Sequence, residues 1–300
     1  MQKSKAKRQE PKAKARQAPK VVVARPTGFC FGVERAIGLA KAGKKQHGRV
    51  ATLGELVHNP LVLSELEREG IRSVRRVRQV RDGALVIRAH GCPPRTLAEC
   101  ERLGIQLVDA TCPYVRKVQN VARRLKEQGY TVVVVGERNH PEVKSILGYC
   151  DGRGRVYSPK MRLKGGKIGV VAQTTMSRER LREAVASLSR FRYNELRVFD
   201  TICEEVAARQ QAAARIAQQV DLVVVVGGRN SANSSRLAEI ARNAGRRVVF
   251  VERASEVPLR IVGRANRVGV VAGSSTPSRV VREIVEIVRN PAKEDRLNVS

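Results

Sequence analysis

Apolar positions along the chain follow two alternating rhythms. Short aliphatic runs, among them Val21–Ala24, Thr131–Val135 and Leu222–Val226, read as strands buried on both faces. Other segments repeat apolar residues at helical spacing: Val33, Ala36, Ile37 and Ala40 in one, Val115, Val118, Val121 and Leu125 in another. Strand–helix–strand alternation predicts an α/β chain with mainly parallel sheet. The longest apolar runs fall far short of the roughly 20 residues that a membrane span needs. The amino terminus is charged and has no apolar signal segment, so a cytoplasmic location is expected.

The rhythm repeats on a larger scale. VDATCPYV around Cys112 resembles FDTICEEV around Cys203, and each cysteine follows a strand-like run and opens an amphipathic segment. A valine-rich strand comes next, then a glycine-bearing loop with an Arg-Asn pair, Arg138-Asn139 or Arg229-Asn230. The residue 28 positions after Cys112 is His140, and 28 after Cys203 is Ser231; the same count from Cys30 reaches His58. A further strand in each third ends in a polar cluster: LVIRAH at His90, VVAQTT with Thr174, VVAGSS with Ser275. The expected organisation is a trefoil of three α/β units, over 21–111, 112–199 and 200–287, with the terminal segment 288–300 returning to the first unit. Ligands of open α/β sheets bind beyond the carboxyl ends of strands. A pseudo-threefold arrangement would therefore aim all nine side chains at one central point.

Composition changes this picture little. Hydrophobic residues are 42% of the chain and exclude global disorder, while aromatics are only 3%, so the core is aliphatic. There are 58 Lys+Arg against 28 Asp+Glu, a net charge of +30. Residues 1–20 hold eight of the basic residues and one acid and no branched aliphatic or aromatic residue, so a disordered basic tail is expected there, carrying about +7. The remainder is spread over the body. It reads as a solvated surface, or as weak, sequence-independent attraction to nucleic acid or acidic proteins. The scarcity of aromatics leaves few platforms for stacking single-stranded bases.

The cysteines change it more. Isolated cysteines are often small buried hydrophobes, and that reading suits Cys92, Cys100 and Cys150, which lie outside the repeat. The common spacing of Cys30, Cys112 and Cys203 favours a metal site instead. Thiolates select iron–sulfur clusters, zinc or copper(I); three of them on a cubane would leave one iron open to a substrate, and a helix start beside each would favour the thiolate. His58, His90, Ser231, Asn233 and Ser275 are uncharged donors suited to a phosphate group, although each Ser or Asn is equally at home as a helix cap. His140-Pro141-Glu142 pairs a histidine with an acid able to deliver a proton, and Thr174 would complete a hydroxyl relay. His47 reads as solvated.

The ordered set GFCFGVERAI (28–37), VHNP (57–60), AHG (89–91), DATCP (109–113), NHPEV (139–143), QTT (173–175), TIC (201–203) and NSANSSRL (230–237) resembles the LytB/IspH family of 4-hydroxy-3-methylbut-2-enyl diphosphate reductases over about residues 21–290. The resemblance implies a trefoil around one [4Fe–4S] cluster per chain, held by Cys30, Cys112 and Cys203. It implies a diphosphate site at His58, His90, Ser231, Asn233 and Ser275, with His140 a further pocket histidine. Glu142 becomes the proton donor and Thr174 a contact to the substrate hydroxyl. The implied reaction removes an allylic hydroxyl with two electrons and two protons, giving isopentenyl and dimethylallyl diphosphates as the last step of the methylerythritol phosphate route. The implied electron donor is a ferredoxin or flavodoxin. Two departures stand out. Ala232 replaces a serine usual in the family, and Glu204-Glu205-Val206 follow Cys203, with Val206 at a position where a threonine is usual. They leave room for an alternative, a divergent paralogue with a nucleic-acid-associated or regulatory binding role.

Overall fold

The repeat in the sequence is a repeat of sheets. The computed structural model describes residues 18–163 and 166–291. Most of the expected basic tail, residues 1–17, and the segment 292–300 lie outside them. In chain order, β1 (Lys20–Val23) and α1 (Phe31–His47) lead to β2 (Val50–Leu53), α2 (Pro60–Arg68), β3 (Ile71–Val74), β4 (Ala84–Ile87), α3 (Pro94–Arg102) and β5 (Gln106–Asp109). Then come α4 (Pro113–Glu127), β6 (Thr131–Val135), α5 (Pro141–Gly148), β7 (Gly154–Val156), β8 (Lys167–Ala172), α6 (Arg178–Leu188) and β9 (Glu195–Phe199). The last stretch is α7 (Glu204–Ala217), β10 (Leu222–Val226), α8 (Ala232–Asn243), β11 (Arg247–Val251), α9 (Leu259–Val262), β12 (Arg267–Ala272) and α10 (Ser278–Arg289).

All strand pairs are parallel. They form three four-stranded sheets of one plan: β3-β2-β4-β5, β7-β6-β8-β9 and β11-β10-β12-β1. The central strands β6 and β10 are buried nearly throughout, as their unbroken valine runs require of strands covered on both faces. The helix after each repeat cysteine packs on the sheet that follows it: α1 on β2, β4 and β5, α4 on β6 and β8, α7 on β12. Small residues permit the close approach. A Cβ on Gly169 in β8 would come within 2.7 Å of Leu125 of α4, and one on Gly269 in β12 within 2.3 Å of Ile216 of α7.

One expected boundary is corrected. The strand expected over 21–24 falls within the expected first unit, 21–111, but β1 (Lys20–Val23) pairs with β12 and completes the third sheet. The plan itself explains why: β5 and β9, which precede Cys112 and Cys203, each form the fourth strand of the sheet before that cysteine. In the third sheet the amino-terminal strand β1 fills that place beside β12. Lys20, counted with the tail, already belongs to β1. The segment 288–300, expected to return to the first unit, lies mostly outside the described residues; α10 packs on β1 and β12 of the third sheet, pairs through Arg279 with Glu65 of α2, and shares its core with Leu61 of α2. Among the described residues no helix is long and apolar enough to cross a membrane.

A chain beginning at residue 24 loses β1 and leaves β12 as an edge over the core of Val268, Val270 and Ile284. Its melting temperature is expected to fall by more than about 5 °C relative to a chain beginning at residue 18; equal values in a thermal scan would show that β1 adds nothing to the third sheet.

Candidate active site

Each repeat cysteine is the N-cap residue of its helix, Cys30 of α1, Cys112 of α4 and Cys203 of α7. Each is pinned by its own amide to the end of the neighbouring strand. Cys30 N–H donates to the Ser274 carbonyl at 2.9 Å, Cys112 to Ala89 at 2.9 Å and Cys203 to Thr174 at 3.0 Å. Parallel pairing of β1 with β12, β5 with β4 and β9 with β8 carries these ends to the same level, so the three cysteines converge. Gly32 lies between two of them: a Cβ there would stand 2.6 Å from Cys112 Sγ and 3.9 Å from Cys30 Sγ. The helix starts do reach the sulfurs, through the amides of Tyr114 and Val115 at Cys112 and of Val206 and Glu205 at Cys203. The expected net ionisation does not follow. Burial outweighs these hydrogen bonds and raises the thiol pKa of both residues. A bound cation is therefore what would hold three such thiolates together.

The other cysteines take packing roles. Cys92 and Cys100 sit in one apolar cluster with Leu85 and Ile87, and Cys150 packs near Ile146 with its thiol 3.4 Å from that residue's carbonyl. Burial pushes Cys92 and Cys150 up to about 12, so both remain thiols.

The strand ends that hold the cysteines also line a narrow cavity of about 50 Å³, bordered by Ala89, His90, His58, His140, Thr175, Ser231, Asn233, Ser274 and Ser275, with Ala232 at the departure noted in the sequence. Three histidines meet here. Ring centroids lie 4.4 Å apart for His58 and His90, 5.5 Å for His58 and His140, and 5.3 Å for His90 and His140. Such proximity does not tolerate three charges. Burial first, then the neighbouring histidines, holds His90 well below the ordinary histidine range, and burial with His58 and Arg88 brings His140 down to about 3. His140 Nδ1 accepts from the Glu142 amide at 3.2 Å, which leaves its proton on Nε2. His58 Nε2, His90 Nδ1 and both side-chain polar atoms of Asn233 are buried without a protein partner. Unpaired buried donors and acceptors on this scale mark a polar ligand site. No lysine or arginine lines the cavity.

Ser231 combines its two alternative readings. It caps α8, its Oγ accepting from Ser234 N–H at 3.3 Å, and it also lines the cavity. In the first unit the cap has moved one residue, to Asn59, leaving His58 free to face the cavity. Ser275 donates to the His58 carbonyl at 3.0 Å and ties the third unit to the first.

Glu142 is 1% exposed. Its Oε1 accepts from the Thr174 amide at 2.6 Å and its Oε2 from the Thr174 hydroxyl at 2.7 Å. Both bonds favour the carboxylate, but burial is the larger effect and raises its pKa to about 7.

Thr175 was missed in the sequence. The cysteine amides show that Ala89, Thr174 and Ser274 are equivalent, so the partner of His90 and Ser275 is Thr175, which lines the cavity, while Thr174 stands one residue back and holds Glu142. The signal was present: LVIRAH and VVAQTT align His90 with Thr175 when their last letters are superposed. The body charge gathers elsewhere, as in a cleft of about 560 Å³ bearing Arg75, Arg76, Arg78, Arg88, Arg95 and Lys144.

Comparison with known proteins adds the following. The family model for LytB protein matches residues 21–289. A 4-hydroxy-3-methylbut-2-enyl diphosphate reductase of Geotalea daltonii is 40% identical over 283 residues, covering 92% of this chain and 99% of its own. The solved E-1-hydroxy-2-methyl-but-2-enyl-4-diphosphate reductase of Plasmodium falciparum has a TM-score of 0.85 at 25% identity, covering 90% of this chain and 88% of its own. A solved (E)-4-hydroxy-3-methyl-but-2-enyl diphosphate reductase, described as the terminal enzyme of the non-mevalonate pathway, has a TM-score of 0.64 at 33% identity, over 92% and 99% of the two chains.

His140 is expected to stay neutral, protonated at Nε2, down to pH 5 in long-range nitrogen–proton correlation spectra of the ligand-free protein. An imidazolium signature for His140 at pH 6 would contradict the burial described.

Proposed function

The chain belongs to the LytB family, and we propose that it reduces 4-hydroxy-3-methylbut-2-enyl diphosphate through an iron–sulfur cluster held by Cys30, Cys112 and Cys203. The reaction is the terminal step of the non-mevalonate route to isoprenoid diphosphates. The carrying observation is the buried pair Glu142–Thr174, set between the Cys203 amide and the three-histidine cavity. A binding module has no use for a carboxylic acid poised near neutrality in so dry a place.

The donor set suits the cluster the family implies. Three cysteines, Cys203 buried and Cys30 and Cys112 half-buried, converge; soft thiolates are the ligands such clusters take, and helix-start amides bond the sulfurs of Cys112 and Cys203. Three ligands agree with a [4Fe–4S] group that keeps one iron for the substrate. When bound, the cluster supplies the two electrons and a Lewis-acidic iron.

The protein's residues do the rest. His58, His90, His140, Ser231, Asn233 and Ser275 bind the diphosphate, whose oxygens meet the buried atoms left without partners. Because burial holds His90 and His140 neutral when the cavity is free, an entering diphosphate favours their protonation, and binding is coupled to proton uptake. Thr174 holds Glu142 and adjoins Thr175 of the cavity wall. Its hydroxyl passes a proton to the leaving oxygen and takes one from Glu142, so the C–O bond breaks with loss of water. A second proton on the allyl fragment, with the two electrons, completes isopentenyl or dimethylallyl diphosphate. Thr175 adds a residue with a hydroxyl to the cavity lining. A ferredoxin or flavodoxin, acidic where this chain is basic, suits the role of electron donor.

The two departures leave this machinery in place. Ala232 removes one hydroxyl from the wall but keeps Ser231 and Asn233. Val206 is 5% exposed, and its contribution at Cys203 comes from its backbone amide, which valine supplies as well as threonine.

Anaerobically purified protein is expected to contain iron and sulfide and to reduce the substrate with a chemical one-electron donor. Glu142→Gln should retain the iron while losing at least about 10²-fold in turnover. In the unaltered enzyme the acid must be protonated, so the rate should be level below pH 7 and fall about tenfold per pH unit above it. Full activity of Glu142→Gln, or a rate that rises through pH 8, would remove Glu142 from the reaction.

A further inference from the structure

Arg209 is a buried charge that does not line the polar cavity. It projects from α7, six residues after Cys203, and is 3% exposed. One terminal nitrogen donates to the Pro26 carbonyl at 3.1 Å and to the Ala272 carbonyl at 3.5 Å, and the other to the Gly28 carbonyl at 3.0 Å. The acceptors on Pro26 and Gly28 belong to the loop that runs from β1 to Cys30. The guanidinium thus spans from the helix that begins at one repeat cysteine to the loop that delivers another.

That loop has no slack on its other side. Gly28 has φ +82°, and a Cβ built on it would stand 2.2 Å from Ser278 Oγ at the start of α10. The loop is wedged between α10 and Arg209, and Cys30 follows it with its amide fixed to Ser274.

The charge itself is poorly compensated. Among the described residues the acid paired with it is Glu205, 3.7 Å away, too long for a hydrogen bond, and its side chain is 39% exposed. Arg209 Nε is buried without a partner. A guanidinium stays charged in proteins, and three carbonyls solvate it without cancelling it. Burial works against that charge, while Glu205 and the thiolates of Cys30 and then Cys203 work in its favour.

We propose that Arg209 is a positioning residue for the cysteine centre, clamping the loop that seats Cys30 and, by its uncompensated charge, raising the reduction potential of the group the cysteines hold. The proposal rests on the reading of Cys30, Cys112 and Cys203 as cluster ligands. Reduction adds negative charge, and a fixed cation in a low-dielectric site stabilises the reduced state more than the oxidised one. Lysine keeps the charge but not the planar fork that reaches three carbonyls, so the two functions separate by substitution.

The test compares Arg209→Met, which removes charge and fork, with Arg209→Lys, which removes the fork alone. In anaerobic redox titrations followed by electron paramagnetic resonance, Arg209→Met is expected to raise the oxidised-to-reduced ratio at fixed solution potential by at least about tenfold, equal to about 59 mV downward for one electron. Arg209→Lys should recover most of that shift. In hydrogen exchange on the cluster-free chain, peptides covering 26–30 should exchange several-fold faster in both variants, with circular dichroism reporting that each is folded. Unchanged exchange overturns the clamp, and an unchanged potential in folded Arg209→Met overturns the electrostatic role. An unaltered chain that takes up no iron would instead overturn the reading of the three cysteines, and exchange at 26–30 would still decide whether Arg209 holds the loop.

Discussion

Three amide hydrogen bonds govern this molecule. Each joins a cysteine to the carbonyl at the end of the adjacent strand, and each follows from parallel pairing: β1 beside β12, β5 beside β4, β9 beside β8. Parallel strands end together at one side of a sheet. A chain that leaves one strand and starts a helix, directly after β5 and β9 and through a short loop after β1, is therefore held against its neighbour's end. The same three strand ends carry Ser274, Ala89 and Thr174, so one register sets both the cysteines and the walls of the polar cavity. A shift of one residue in any of these pairs would turn the site's side chains to the wrong face.

Burial then performs two opposite tasks with one cause. Excluding water penalises whichever form of a group is charged. For His90 and His140 that is the protonated form, and they are held neutral; for Glu142 it is the carboxylate, and it is held near neutrality as an acid. Donors for an anion and a proton source for a leaving oxygen thus arise from the same dry environment. The Thr174 hydroxyl and amide temper the effect, since without them the Glu142 carboxyl would be a weaker acid still.

Much of this was legible in the residues. Valine runs located β6 and β10 to the residue, and the 28-residue interval found His58, His140 and Ser231, because a strand of fixed length followed by a capped helix keeps its spacing. What escaped depended on long-range pairing. The place of β1 in the third sheet depends on a partner at the far end of the chain, which local periodicity does not report. Thr175 escaped because two adjacent threonines cannot be told apart without knowing which carbonyl meets Cys203. Arg209 looked like one more basic residue on a helix, and only its carbonyl partners at Pro26, Gly28 and Ala272 distinguish it from the solvated majority. The helix starts were correctly located, but their pull on Cys112 and Cys203 is overruled by desolvation, a property of packing.

The amino-terminal strand gives the molecule a sense of its own completeness. Residues 20–23 are made early, yet their partners, residues 267–270, lie roughly 250 residues further along the chain. Pairings so distant in sequence form late, after the local elements have condensed. Until β12 arrives, Cys30 has no Ser274 carbonyl to meet. The two remaining cysteines can be seated earlier, each by strands already synthesised. A chain that stops before Ser274 is thus left with two seated sulfurs and a third adrift, so the centre depends on the joining of two strands from opposite ends of the fold.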